Sequence, residues 1–190
     1  VDPFDVPPDW TLFGSFDWGF SHPWCFGLYA VGHDDRVFKI CTMTGRYQQE
    51  HEIAESIKIG LRRRGLEPGD LTYIVADKIV FDVKQARTDS TQRIADTFAE
   101  HGLQLTRANQ ARVHGLNLLR RYLAWEGMAP DGGDAEPWLR FFDNDSNRSC
   151  FQQLASIPVD EDNPEDALKQ DADQFGHGGD DMYDETRYAI

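Results

Sequence analysis

Residues 16–31 read FDWGFSHPWCFGLYAV, and they set up the rest of the chain. Two β-prone runs, TLFGSFDWGF (11–20) and WCFGLYAVG (24–32), flank the turn signal Ser21-His22-Pro23. GHDD (32–35) then leads into a third run, RVFKICTM (36–43). Such short spacing predicts an antiparallel meander of three strands. Asp17 falls in the middle of the first strand, between Phe16 and Trp18. A carboxylate there is costly unless it is paired, capped or bound to a cation.

Downstream of the meander the hydrophobic period changes. In 46–65, RYQQEHEIAESIKIGLRRRG, Ile53, Ile57 and Leu61 recur at helical spacing and Gly65 supplies a stop. LTYIVAD (71–77) reads as a buried strand that ends on Asp77. STQRIADTFAEHG (90–102) reads as a helix, capped by Ser90 or Thr91 and stopped by Gly102. LQLTRA (103–108) is a short strand and ARVHGLNLLRRYLAWEG (111–127) an amphipathic helix. Next come a strand WLRFF (138–142), a helix SCFQQLASI (149–157), an acidic helix NPEDALKQDA (163–172) and a closing helix that carries Asp180, Asp181 and Asp184. A meander followed by alternating helices and strands is the order of a ribonuclease-H-like α/β fold: three antiparallel strands, then parallel strands, flanked by helices.

With 190 residues, 40% hydrophobic content, twelve Phe and five Trp, the chain has material for one well-packed domain. No run approaches the roughly 18 apolar residues that span a bilayer, so no membrane partner is expected. Cys25, Cys41 and Cys150 lack metal-site spacing and read as reduced thiols of a cytosolic protein. Residues 1–10, VDPFDVPPDW, resemble the remnant of an interdomain linker. The net charge of -14 is unevenly spread. Residues 61–128 hold eleven Lys/Arg against eight Asp/Glu, while residues 129–190 hold four against sixteen. The middle segment can face a polyanion or simply present solvated helix faces. An acidic protein can still act on nucleic acid if divalent ions bridge its carboxylates to phosphate.

Asp17 in the first strand and Asp77 at the end of the fourth belong to neighbouring strands in this topology, at the edge where open sheets bind ligands. A closing helix packed near those strand ends adds Asp184, and Asp181 lies about one turn earlier on the same face. Hard oxygen ligands of this kind suit Mg²⁺ or Mn²⁺ rather than zinc. Two ions about 4 Å apart in such a site support phosphodiester hydrolysis. Each aspartate also has a plain structural reading, as an edge carboxylate, a strand-end cap or a helix first-turn residue. Asp180 reads as a solvated or capping residue.

DPFDVPPDW, FDWGFSHPWCFGLYAV, IVADK, NPEDALK and GGDDMYDETRYAI together resemble the C-terminal nuclease domain of the large terminase subunit of tailed bacteriophages. The DxG at Asp17–Gly19 and the DxxDxxRY at Asp181–Tyr188 are the most specific parts. The resemblance implies a ribonuclease-H-like endonuclease that cuts concatemeric double-stranded viral DNA during genome packaging, with Asp17, Asp77 and Asp184 as catalytic metal ligands. Many relatives carry histidine where this chain has Asp181, which makes Asp181 an accessory ligand, with His177 as an alternative. The resemblance further implies a portal protein and a small terminase subunit as partners, and action in the host cytoplasm at the viral procapsid. It also implies an ATPase domain in the same polypeptide. No GxxxxGK[ST] loop occurs between residues 1 and 190.

Rival readings keep the scaffold and change the reaction, to a resolvase or transposase, or make the domain a portal-docking module with latent nuclease activity. A phosphotransferase of the actin and sugar-kinase type would need a second similar domain. Lys78 and Lys84 are candidate DNA contacts, and Arg187 a candidate partner for phosphate or for a nearby carboxylate. Arg62, Arg63 and Arg64 suit a helix end. Trp18, Phe20, Trp24 and Phe26 suit core and rim packing, with base stacking as the alternative.

Overall fold

The computed structural model describes residues 1–82, 92–109, 111–124, 136–163, 166–173 and 178–190. Three strands, β1 (Thr11–Asp17), β2 (Trp24–Val31) and β3 (Val37–Gly45), form the expected antiparallel meander. β4 (Ile74–Ala76) and β5 (Leu105–Arg107) add to it in parallel beside β1, and β6 (Leu139–Phe141) runs parallel to β3 at the far edge. The sheet order is β5-β4-β1-β2-β3-β6, a ribonuclease-H-like mixed sheet with helices on both faces.

One face is covered by α1 (Glu50–Arg62) and α2 (Ile94–Glu100), which bury Ile53, Ile57, Leu61 and Phe98 against Phe16, Phe26 and Leu28. The other is covered by α3 (Arg112–Leu123), α4 (Asp145–Ser156) and α5 (Asp181–Ala189), whose Leu116, Leu119, Leu154 and Tyr183 meet Phe13 and Tyr29. Strand alternation decides which side chains face α5. Leu12 and Phe16 point to the α1 side, and Phe13, Ser15 and Asp17 to the α5 side. Asp17 is the last residue of β1 rather than its middle. The chain turns immediately afterwards, so tightly that a Cβ on Gly19 would meet the Pro23 backbone. Residues 1–10 are not bare: the ring of Phe4 packs on Trp10, Phe38 and Phe142.

The expected acidic helix over 163–172 does not form among its described residues. Isolated bridges pair Val159 with Ala167 and Ala172 with Gly178 instead. Leu168 donates its N–H to the Pro158 carbonyl at 2.8 Å, and Ala167 is buried against the α3 side of the core. Tertiary backbone pairing and one buried alanine outweigh a weak local helix preference.

A buried ion pair fastens α5 to the sheet. The Lys39 Nζ on β3 lies 2.5 Å from Glu185 Oε2, and both side chains are fully buried. Tyr29 donates to Glu185 Oε1 at 2.8 Å, Lys39 also donates to Thr186 Oγ1 at 2.9 Å, and Ser15 donates to the Glu185 carbonyl at 2.6 Å. A register shift between Leu28 and Tyr29 opposes Tyr29 to Lys39 while Leu28 still faces Cys41. The bulge turns Lys39 toward α5 even though Cys41, two residues on, belongs to the α1-side core. Gly27 completes the seat, since a Cβ there would collide with the Glu185 carboxylate. Burial disfavours the Lys39 ammonium, but Cys150, Glu185 and Tyr29 outweigh it and hold its pKa well above the ordinary lysine value. Breaking such a pair strands a buried charge. Lys39→Met is therefore expected to lower unfolding stability by about 3–5 kcal/mol, and Lys39→Met/Glu185→Leu to recover most of it. Denaturant titrations of the two variants measure this, and equal losses in both would contradict it.

Candidate metal centre

α5 lies across the carboxyl ends of β1 and β4, and this brings the acids together. Asp17 closes β1 at 8% exposure, and Asp184 sits in the first turn of α5 with the same exposure. Asp77 follows β4 and donates its backbone N–H to the Phe16 carbonyl, adjacent to Asp17, at 3.3 Å. Its carboxylate accepts from the Ile79 N–H and so caps the short 3-10 turn Lys78–Phe81. Asp77 is thus a strand-end cap and a neighbour of Asp17 at once.

The groups are coupled through their charges. Burial pushes the Asp17 carboxyl well above the usual carboxylate range, and the charges of Asp184, Asp77, Asp181 and Asp180 push it further. Burial and the adjacent Asp180 raise Asp181 to about 6. Asp180 is raised by its own burial and by Asp184. It is buried at the N-cap position of α5, which rules out the solvated alternative for this residue. Tyr188 is raised first by burial and further by the charges of Asp17, Asp184 and Asp77. His22, in the loop after β1, acts in the opposite sense on Asp181.

Two arginines hold Asp184. Arg187, one turn on, donates to Oδ1 through Nε at 3.0 Å and Nη2 at 2.9 Å. Its aliphatic stem lies against Gly115 of α3, where a Cβ would come within 2.7 Å of its Cγ. The carboxylate alternative for Arg187 is therefore the one observed. Arg112 Nη1 reaches Asp184 Oδ2 at 3.3 Å from the start of α3. The guanidinium also pairs with Asp166 at 3.1 Å and lies 3.8 Å from Asp180.

No group of three or more His, Cys, Asp or Glu among the described residues is arranged to hold one ion. The donor chemistry still fits a hard divalent cation. The set is entirely carboxylate, and Asp180 Oδ2 and Asp181 Oδ2 are buried with no hydrogen-bond partner. A cavity of about 520 Å³ lined by Pro23, Thr44, Gln153, Gly179, Asp181 and Met182 adjoins the cluster. A larger apolar cavity lies elsewhere, between β6 and α4.

Other expectations resolve simply. Trp24 and Phe26 are core residues, Trp18 packs against the core, and Phe20 is exposed at 43%. Arg62 ends α1, and Cys25, Cys41 and Cys150 are free and buried. Lys78 is exposed, whereas Lys84 and His177 lie outside the described residues. No helix among the described residues is long and apolar enough to cross a membrane. Sequence reading gives Arg112, Asp166, Lys39 and Glu185 no place at the site. Lys39 carries a usable signal, a lysine inside an apolar strand; Arg112 carries none, because its partners lie 54 and 72 residues away.

No protein-family profile and no curated protein matches the sequence. Solved structures do match. The large terminase of a thermophilic bacteriophage in complex with ADP superposes with a TM-score of 0.72 at 16% identity, over 100% of this chain and 41% of that one. The P22 large terminase nuclease domain gives 0.61 at 15% identity, over 100% of this chain and 84% of that one. The large terminase nuclease of the thermophilic phage G20c with bound cobalt gives 0.56 at 12%, over 97% and 82%. This chain thus spans about two fifths of the ADP-bound large terminase and most of the two isolated nuclease domains. Its fold is that of the large-terminase nuclease domains.

Proposed function

We propose that this chain is the nuclease domain of a tailed-phage large terminase, which cuts concatemeric double-stranded DNA during genome packaging. The observation that supports the reading is a terminase-nuclease fold whose buried Asp17 is charge-coupled to Asp184, Asp77 and Asp181. Residues 1–190 form one domain on this reading, next to an ATPase domain of the same polypeptide. Portal protein and small terminase subunit are the assembly partners, and the host cytoplasm is the setting.

Asp17, Asp77 and Asp184 would hold divalent ions, Mg²⁺ or Mn²⁺ and two in number, with Asp181 as accessory. When bound, such ions lower the pKa of an attacking water and neutralise charge on the scissile phosphate. The chain's own residues set the stage for this. Arg187 fixes the Asp184 carboxylate through Oδ1. The Lys39–Glu185 pair holds α5, and hence Asp184, in register with β1. Exposed Lys78, next to Asp77, is placed to meet the DNA backbone. Phosphate contacts of this kind position a duplex without reading its sequence, which suits cutting with little sequence preference.

Asparagine at Asp17, Asp77 or Asp184 is expected to cut Mn²⁺-dependent plasmid cleavage by more than the about 10–100-fold typical of losing an outer-shell partner of a metal. Gel assays of the folded variants measure this, and undiminished cleavage by all three would sink the reading. The raised Asp17 carboxyl gives a second expectation. Between the ordinary carboxylate range and its raised value, the folded metal-free chain binds more protons at Asp17 than the unfolded chain does. Asp17 therefore subtracts stability as pH rises through that window, and subtracts none below it. Asp17→Asn should melt higher than the parent at neutral pH without metal, with the gap closing on acidification. Saturating Mn²⁺ should reverse the order, stabilising the parent by about 2.7 kcal/mol at 100 times the dissociation constant. Equal stabilisation of both chains by Mn²⁺ would count against Asp17 as a ligand.

A further inference from the structure

The two arginines on Asp184 differ in how they are held. Arg187 belongs to α5 itself, its side chain is only 2% exposed, and both of its close contacts fall on Oδ1. Arg112 comes from α3, its side chain is 26% exposed, and its Nη1 makes the looser contacts, 3.3 Å to Oδ2 and 3.4 Å to Oδ1. The rest of the Arg112 guanidinium is anchored elsewhere. Nε donates to Asp166 Oδ2 at 3.1 Å and Nη2 to the Ala167 carbonyl at 3.2 Å. A small rotation would release Nη1 from Asp184 and leave those two anchors in place.

Around this guanidinium stand buried carboxylates with too little cation. Asp180 Oδ2 lies 3.8 Å from Arg112 Nη2 without a hydrogen bond, and Asp181 Oδ2, on the next residue, is also buried without one. Like charges this close repel strongly when partly desolvated. Burial works against the charge on Arg112, but Asp184, Asp166 and Asp180 outweigh it.

We propose that Arg112 is a displaceable internal cation: it occupies Asp184 Oδ2 in the metal-free chain and yields that oxygen to an incoming divalent ion. Its role is to set metal affinity and to offset the repulsion among the acids, while Arg187 keeps the carboxylate oriented throughout. The inference rests on the nuclease reading for the metal and on the Arg112 geometry for the competition. It also explains why the acids are charge-coupled yet not convergent on one point. Asp166, in the bridged segment that replaced the expected helix, is the anchor that keeps Arg112 within reach afterwards.

The test is Mn²⁺ binding to the DNA-free 190-residue chain, followed by calorimetry and by the electron spin resonance of free Mn²⁺. Arg112→Gln removes one competing charge and is expected to bind Mn²⁺ about tenfold more tightly than the parent. Without metal it should melt lower than the parent, and Mn²⁺ should restore the loss. Arg112→Lys keeps the charge without the fork and should fall between the two in affinity. A purely structural role for Arg112 would weaken metal binding on substitution, so tighter binding separates the two roles. Unchanged or weaker Mn²⁺ binding by Arg112→Gln, with binding still lost in Asp17→Asn, overturns the Arg112 assignment and leaves the nuclease reading standing. Absence of Mn²⁺ binding by the parent chain overturns both.

Discussion

The placement of the acids that α5 carries depends on the ion pair between Lys39 and Glu185. A charge pair with no solvent access is seldom the most stabilising way to fill a core, because both groups lose their hydration. Here the pair is also hydrogen-bonded on several sides. Tyr29 and Lys39 satisfy Glu185, Thr186 shares Lys39, and Ser15 takes the Glu185 carbonyl. These directional contacts come from β1, β2 and β3 together. They define a single axial position and rotation for α5, which apolar packing by Tyr183 alone would not. Asp184 precedes Glu185, so whatever fixes one fixes the other.

A second constraint is electrostatic. The same helix that brings Asp184 to β1 also carries Asp180 and Asp181, and the sheet adds Asp17 and Asp77. Such a centre is unstable without cations. Two guanidiniums face its Asp184, one buried and one partly exposed. α3 can approach closely enough for this because Gly115 leaves room for the Arg187 stem. Crowding like charges in this way costs stability, as is common at sites that function shapes.

Much of the scaffold was legible from local pattern. The meander, the helix that buries Ile53, Ile57 and Leu61, and the parallel β4 and β5 all follow from hydrophobic period and turn residues. The strand-end position of Asp77 and the helical spacing of Asp181 and Asp184 were equally readable, whereas Asp17 reads as mid-strand and in fact closes β1. The segment 163–172 was not, because its backbone partners at Pro158 and Asp160 decide its conformation. The edge position of β6 escaped for the same reason: a strand of three residues has no pattern that names its neighbour.

What the sequence by itself determined is the order of elements, the alternation along unbroken strands, and the presence of Asp77 at a strand end and of acids on the closing helix. These follow from periods of two and 3.6 residues, which any local stretch displays. Tertiary structure alone decided that Lys39 meets Glu185 across 146 residues and that Arg112 meets Asp184 across 72. Such contacts depend on a bulge in β3, on two glycines that leave space, and on how three helices share one face of the sheet. None of these has a local periodic signature, so only the folded chain shows which charges the acidic centre holds in balance.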